Sequence, residues 1–187
     1  MKRIIIALTI CIITSCTNTK VMQTTLDSPK LIELPDGSTA LLNENSSIEY
    51  IETFENRSIK QKGEVFYIVI SNKVPFVVET DNGNIEVLGT EFNVKSIGQE
   101  IEVEVEKGLV KLKTKKLVKN IKKGQKAIFK DIKNGIEIGK AEFKHQEWTK
   151  DFKKSIKKVG KEVKKETKSI GKDFKKIGKE VGKKFNN

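Results

Sequence analysis

Residues 101–106 read Ile-Glu-Val-Glu-Val-Glu, three β-branched apolar side chains alternating with three carboxylates. A period of two puts Ile101, Val103 and Val105 on one face of an extended strand and Glu102, Glu104 and Glu106 on the other, whereas a helix would scatter both sets around its circumference. The same grammar extends outward. Residues 64–70 (EVFYIVI), 75–79 (PFVVE), 84–88 (NIEVL) and 92–94 (FNV) are rich in β-branched and aromatic residues. Turn signals separate them: Pro35-Asp-Gly-Ser38, Gln61-Lys-Gly63, Asp81-Asn-Gly-Asn84, Gly89-Thr90, Lys107-Gly108, Lys123-Gly-Gln125 and Lys133-Asn-Gly135. Short strands at intervals of about 8–12 residues across 31–140 predict a mainly β protein, a single all-β sandwich or stacked-strand domain with no helix inside it. The carboxylate face of 101–106 is expected to be solvated; weak cation binding is the other property it could have.

The length and composition agree. With 187 residues, 33% charged and 36% hydrophobic, the chain holds one domain plus appendages and is neither a membrane bundle nor a low-hydrophobicity disordered chain. Two Cys exclude a disulfide framework, and one His leaves little for a zinc site. The formal charge of +12, from 37 basic and 25 acidic residues, would suggest nucleic acid if it were evenly spread. It is not. Residues 143–187 carry 16 Lys against 6 acids, a net +10, while residues 21–142 carry 18 basic against 19 acidic groups, a net −1.

The first residues, MKRIIIALTICIITSC, begin with Lys2 and Arg3 and continue as an apolar run of 10 residues, Ile4 to Ile13. That run is too short for a bilayer, which needs about 20 residues, and suits a secretory signal. Ile13-Thr14-Ser15-Cys16 is similar to the bacterial lipobox, in which small side chains precede the cleaved bond and the thiol accepts a diacylglycerol. The expected organisation is a lipoprotein signal peptide over 1–15, a lipidated tether over 16–29, a β-domain over 30–142 and a lysine-rich tail over 143–187. Cys11 falls in the discarded peptide, so the mature chain has no free thiol. The expected location is the bacterial envelope, lipid-anchored at Cys16 with the domain in the periplasm, and the absence of Asp after Cys16 favours the outer membrane.

Within the β region, ordered blocks resemble the FecR domain, the periplasmic module of bacterial cell-surface-signalling regulators. Residues 34–43 (LPDGSTALLN) are similar to its opening strand. Ser46 to Tyr50, Phe54 with Arg57, and Gly63-Glu-Val-Phe66 are similar to the blocks that follow. So are residues 75–80 (PFVVET), 87–94 (VLGTEFNV), 106–112 (EKGLVKL) and 121–127 (IKKGQKA), and Trp148 falls where the family often carries a Trp. Asp36, Arg57, Glu64, Thr90 and Asn93 inside these blocks are read as turn caps or buried hydrogen-bonding groups. The resemblance implies an anti-sigma signalling function: the family's regulators bind a sigma factor through a cytoplasmic segment and receive a signal from a TonB-dependent outer-membrane transporter. A lipidated Cys16 leaves no cytoplasmic segment, which argues against direct sigma-factor binding here and leaves an outer-membrane transporter or another envelope protein as the partner.

The tail repeats itself every 11 residues: Phe152, Val163, Phe174 and Phe185 share one position, Trp148, Val159, Ile170 and Val181 another. Eleven residues in three turns is close to α-helical. Phe152, Ile156, Val159, Val163, Ile170, Phe174, Ile177, Val181 and Phe185 then form an apolar stripe about 100° wide. Lys153, Lys154, Lys157, Lys161, Lys164, Lys165, Lys168, Lys172, Lys175, Lys176, Lys179 and Lys183 fill the flanks. Such a C-terminal amphipathic α-helix suits an anionic membrane surface. Docking on the β-domain and a right-handed coiled coil are the competing readings; a Lys-only polar face without stacking aromatics argues against nucleic acid. No P-loop, GxGxxG, GxSxG or HExxH occurs, so no enzyme, catalytic residue, metal or cofactor is expected, and His145 is read as a packing residue. The sequence thus points to an envelope-anchored FecR-like binding or signalling module; the alternative is a structural envelope lipoprotein whose tail binds anionic lipid, lipopolysaccharide or cell-wall polymers.

Overall fold

The computed structural model describes residues 19–131, 133–150 and 152–154. Among these residues thirteen strands are formed: β1 (Lys20–Thr24), β2 (Lys30–Glu33), β3 (Thr39–Leu42), β4 (Ser47–Ile51), β5 (Ser58–Ile68), β6 (Phe76–Thr80), β7 (Gly83–Val87), β8 (Glu91–Ile97), β9 (Glu100–Lys107), β10 (Leu109–Lys113), β11 (Val118–Lys122), β12 (Gln125–Phe129) and β13 (Ile136–Lys140). The fold is mainly β, as the alternation predicts, and helix occurs among the described residues only at 146–150 and 152–154.

The strands form two layers that share β5. The first runs β1-β4-β5-β6-β7-β10-β11 and the second β2-β3-β5-β8-β9-β12-β13. All pairings are antiparallel except β5 with β6. Residues 59–62 of β5 pair with β4, and residues 63–68 pair with β8, so the strand changes layer at Gly63. That corner requires glycine: φ is +81°, and a Cβ would lie 2.5 Å from Ser46 Oγ and 2.8 Å from Ser46 Cα. Between the layers lies one apolar core, with Ile48, Ile59, Phe76, Val78, Ile85 and Leu112 from the first sheet facing Leu42, Val65, Tyr67, Phe92, Val94, Ile101 and Val103 from the second. Stacked Tyr67–Phe92 and edge-on Tyr67–Phe76 rings join the two halves.

Two expectations need correction. The tether anticipated over 16–29 is already ordered strand at Lys20: β1 pairs with β4 over its full length, and Val21 packs on the core. Thr25 continues the attachment, its N–H reaching the Ser46 carbonyl at 2.9 Å. The sequence reads as polar there because β1 is an edge strand with only one half-buried apolar side chain. The carboxylate face of β9, expected in solvent, is covered: Glu104 is 2% exposed.

Candidate functional site

Leu41, Phe66, Asn93 and Glu104 stand side by side across β3, β5, β8 and β9, on the face of the second sheet that points away from the core. All four are buried, and the chain that follows β13 bonds to Glu104 and stacks on Phe66. The crossing chain leaves β13 with the Ala141 N–H bonded to the Gly124 carbonyl at 2.9 Å. The N–H groups of Glu142 and Phe143 then donate to Glu104 Oε1 at 2.8 and 3.1 Å. Phe143, at φ 55°, turns the chain so that His145 enters the sheet surface.

His145 is 1% exposed and lies between two carboxylates, with Nδ1 3.1 Å from Glu104 Oε2 and Nε2 2.8 Å from Glu106 Oε1. Its ring stacks on Phe66 at 5.1 Å and takes the edge of Phe143. With a carboxylate oxygen at each ring nitrogen, both nitrogens donate, which is the hydrogen-bonding state of an imidazolium. Burial alone would lower the His145 pKa, but the bonds and charges of Glu104 and Glu106 carry it above its ordinary value. The helical residues follow, and Lys153 Nζ comes within 2.6 Å of Glu106 Oε1 while sitting 4.1 Å over the Phe66 ring. Gln146 Nε2 donates to the same oxygen at 3.0 Å.

The two glutamates respond to this crowd of donors. Burial raises both pKa values, but the His145 bond and the two backbone N–H bonds leave Glu104 below the ordinary range. Bonds from His145, Lys153 and Gln146 bring Glu106 down to about 2. The arrangement is a buried ionic clasp between the β-domain and the start of the tail, with Glu104 and Glu106 on one side and His145 and Lys153 on the other. Asn93 Oδ1 and Thr149 Oγ are buried under it without a hydrogen-bond partner among the described residues, which offsets part of its stability.

Of the residues singled out in the tail, Phe152, Lys153 and Lys154 are described. Phe152 and Lys153 are half-buried, and Lys154 is exposed. Together with buried His145 and Thr149 and half-buried Trp148, they give the i, i+3/i+4, i+7/i+8 face of a helix docked on a sheet. Cys16, Ile156, Lys157, Val159 and every tail residue named beyond them lie outside the described residues. His145 packs as anticipated; its pairing with two glutamates was not anticipated. The signal for a covered outer face was present in consecutive apolar residues, Leu41-Leu42 and Val65-Phe66-Tyr67, which a strand wetted on one side does not need.

A second polar cluster closes one end of the sandwich. Asp36 Oδ2 accepts Arg57 Nε at 2.8 Å and Nη2 at 2.7 Å. The guanidinium also donates to the Val74 and Ile70 carbonyls at 2.6 and 2.9 Å. Asp36 caps its own turn through the Ser38 N–H. Glu64 accepts the amides of Asn43 and Asn93, and Thr90 Oγ donates to the Leu109 carbonyl. These are the turn-capping and buried hydrogen-bonding roles expected of Asp36, Arg57, Glu64, Thr90 and Asn93. No cluster of three or more His, Cys, Asp or Glu suited to a metal occurs among the described residues, and no described helix is long and apolar enough to cross a membrane.

Residues 20–111 match the model of the family described as FecR protein. No curated protein matches the chain. Two crystal structures from Parabacteroides distasonis ATCC 8503, each of a protein provisionally described as an anti-sigma factor, are similar in fold. Their TM-scores are 0.62 and 0.60 at 24% and 25% identity, over 65% of this chain and 60% and 59% of theirs. The chain therefore spans about 60% of the length of those solved chains.

Proposed function

Because the chain carries a FecR domain across residues 20–111, we propose that it acts as an envelope signalling component of the anti-sigma type, held to the membrane by lipid at Cys16. The FecR match carries the reading. It is supported by a fold similar to that of the Parabacteroides proteins and by the lipobox-like Ile13-Thr14-Ser15-Cys16. A chain processed at Cys16 keeps all of its domain outside the cytoplasm. Its role is then to receive a signal from an outer-membrane transporter or another envelope protein and pass it on by contact, rather than to grip a sigma factor itself. Beyond Lys154, the lysines and apolar stripe of the tail supply a second attachment to anionic lipid.

Palmitate labelling followed by crosslinking in envelope fractions tests this. The wild type takes up label, Cys16→Ala does not, and an envelope protein is crosslinked to the β-domain. A Cys16→Ala protein that is still labelled removes the anchor. Crosslinks confined to lipid, with no protein partner under any growth condition, remove the signalling role.

A further inference from the structure

The strand that follows Cys16 fixes how the domain meets the membrane. Only residues 17–19 separate the lipobox Cys from β1, and four residue steps span at most about 14 Å. If Cys16 is acylated, the end of the sandwich where β1 begins lies at the headgroups. Sheet register says what else is at that end. Antiparallel and parallel pairings put the first residues of β1, β5, β6 and β10 and the last residues of β4 and β7 there together. The loop over 70–75 is held at the same end by Arg57, which binds the Ile70 and Val74 carbonyls. The loop after β7 joins it through the Asn72 N–H to the Leu88 carbonyl, 2.8 Å.

This end carries exposed apolar side chains that none of the described elements covers. Ile70 is 51% exposed, Val74 47%, Leu88 53% and Leu109 49%. Pro75, Leu88 and Leu109 line one groove. Lys73, Lys111 and Lys122 are exposed around it; Glu86, which also lines the groove, is neutralised by its ion pair with Lys113, and Glu52 and Glu55 lie on the β1 side. Five strand spacings of about 4.8 Å put the groove about 24 Å from the tether. We infer that Ile70, Val74, Leu88 and Leu109 form a membrane-contact face that enters an anionic lipid interface, with the lysines meeting its headgroups. The tether and the apolar face then act as two footholds on one end of the domain, and the domain stands in a fixed orientation instead of swinging from its lipid. This rests on the lipid anchor proposed above. Apolar faces of this kind reach about 5–10 Å into the headgroup region.

The test uses the full lipidated chain in vesicles of phosphatidylethanolamine and phosphatidylglycerol. An environment-sensitive fluorophore is placed at Leu88→Cys, Leu109→Cys or, at the opposite end of β8, Ile97→Cys; acylated Cys16 offers no competing thiol. Ile97 is 59% exposed and serves as the wetted reference. Blue-shifted emission at Leu88 and Leu109, quenched by nitroxide-labelled lipid and absent at Ile97, supports the orientation. If all three probes report water in a protein whose Cys16 is acylated by mass spectrometry, the orientation fails while the anchor stands. A blue shift without lipid quenching means that protein covers the face, and it overturns the lipid assignment. Finding Cys16 unacylated overturns the anchor and the orientation together.

Discussion

Replacing Glu106 by Gln removes the negative charge from the clasp and leaves its size almost unchanged. Glu106 Oε1 accepts from His145, Gln146 and Lys153 at 2.8, 3.0 and 2.6 Å, and its side chain is 15% exposed. Holding this carboxyl at about 2 instead of its ordinary 4.5 corresponds to about 3 kcal/mol, at 1.36 kcal/mol per tenfold change in proton affinity. Solvent at the rim brings the expected loss to about 2–3 kcal/mol. The sign follows from the direction of the shift. A lowered carboxyl stabilises the fold above about pH 4.5, and that contribution fades as pH falls toward about 2. His145 acts oppositely: its pKa is raised, so its contribution is full below about 6.5 and fades as pH climbs through the folded value. The clasp is therefore firmest between about pH 4.5 and 6.5. The single tryptophan, Trp148, sits half-buried in the docked segment, so urea titrations followed by its fluorescence report the clasp directly. At about pH 6, Glu106→Gln should be about 2–3 kcal/mol less stable than wild type, and near pH 2 the two should coincide within about 1 kcal/mol. Lys153→Met should lose part of the same energy, and the double variant less than the sum. An equal gap at both pH values would refute the ionic account.

Arg57→Met leaves half-buried Asp36 without its cation and frees the Ile70 and Val74 carbonyls, so a loss of about 3 kcal/mol is expected in equilibrium urea unfolding. Gly63→Ala and Gly124→Ala share a left-handed φ, +81° and +80°, but a Cβ meets the backbone of Ser46 at the first site and nothing within 4 Å at the second. The second should cost about 1–2 kcal/mol, the first clearly more, and equal melting temperatures would show that the corner relaxes. A peptide of residues 143–187 should bind phosphatidylglycerol vesicles and release as salt rises; salt-insensitive binding would exclude the electrostatic attachment.

How much could be read from the chain depends on what each residue's neighbours are. The alternation of 101–106 gave β9 and its inward valines, because one face of a strand is decided by period alone. It could not say that the glutamate face was covered, since the cover comes from His145 and Lys153, about 40 residues later. Leu41-Leu42 and Val65-Phe66-Tyr67 held that information as unbroken apolar runs. β1 was read as tether because Lys20–Thr24 makes its contacts through backbone bonds to β4, which composition does not show. The tail's repeat reads as an amphipathic helix with its stripe on an anionic membrane, docking on the domain being the competing reading; over the described residues, His145 and Lys153 bond to the sheet. Asp36 and Arg57 were legible as scaffold because a buried Arg needs an acid, and the turn at Pro35–Ser38 supplies one.

The antiparallel docking of β1 on β4 has a mechanical consequence. A membrane-directed pull on residue 19 acts along the axis of β1, at right angles to the ladder hydrogen bonds that join Lys20–Thr24 to Ser47–Ile51. Load in that direction is shared by the whole ladder at once, instead of opening it one bond at a time as a peeling force would. Resistance to such a force is set by the rate at which the strand shears off rather than by equilibrium stability. With Cys16 acylated as proposed, a strand that looks expendable by burial is thus the one through which tension from that lipid reaches the domain.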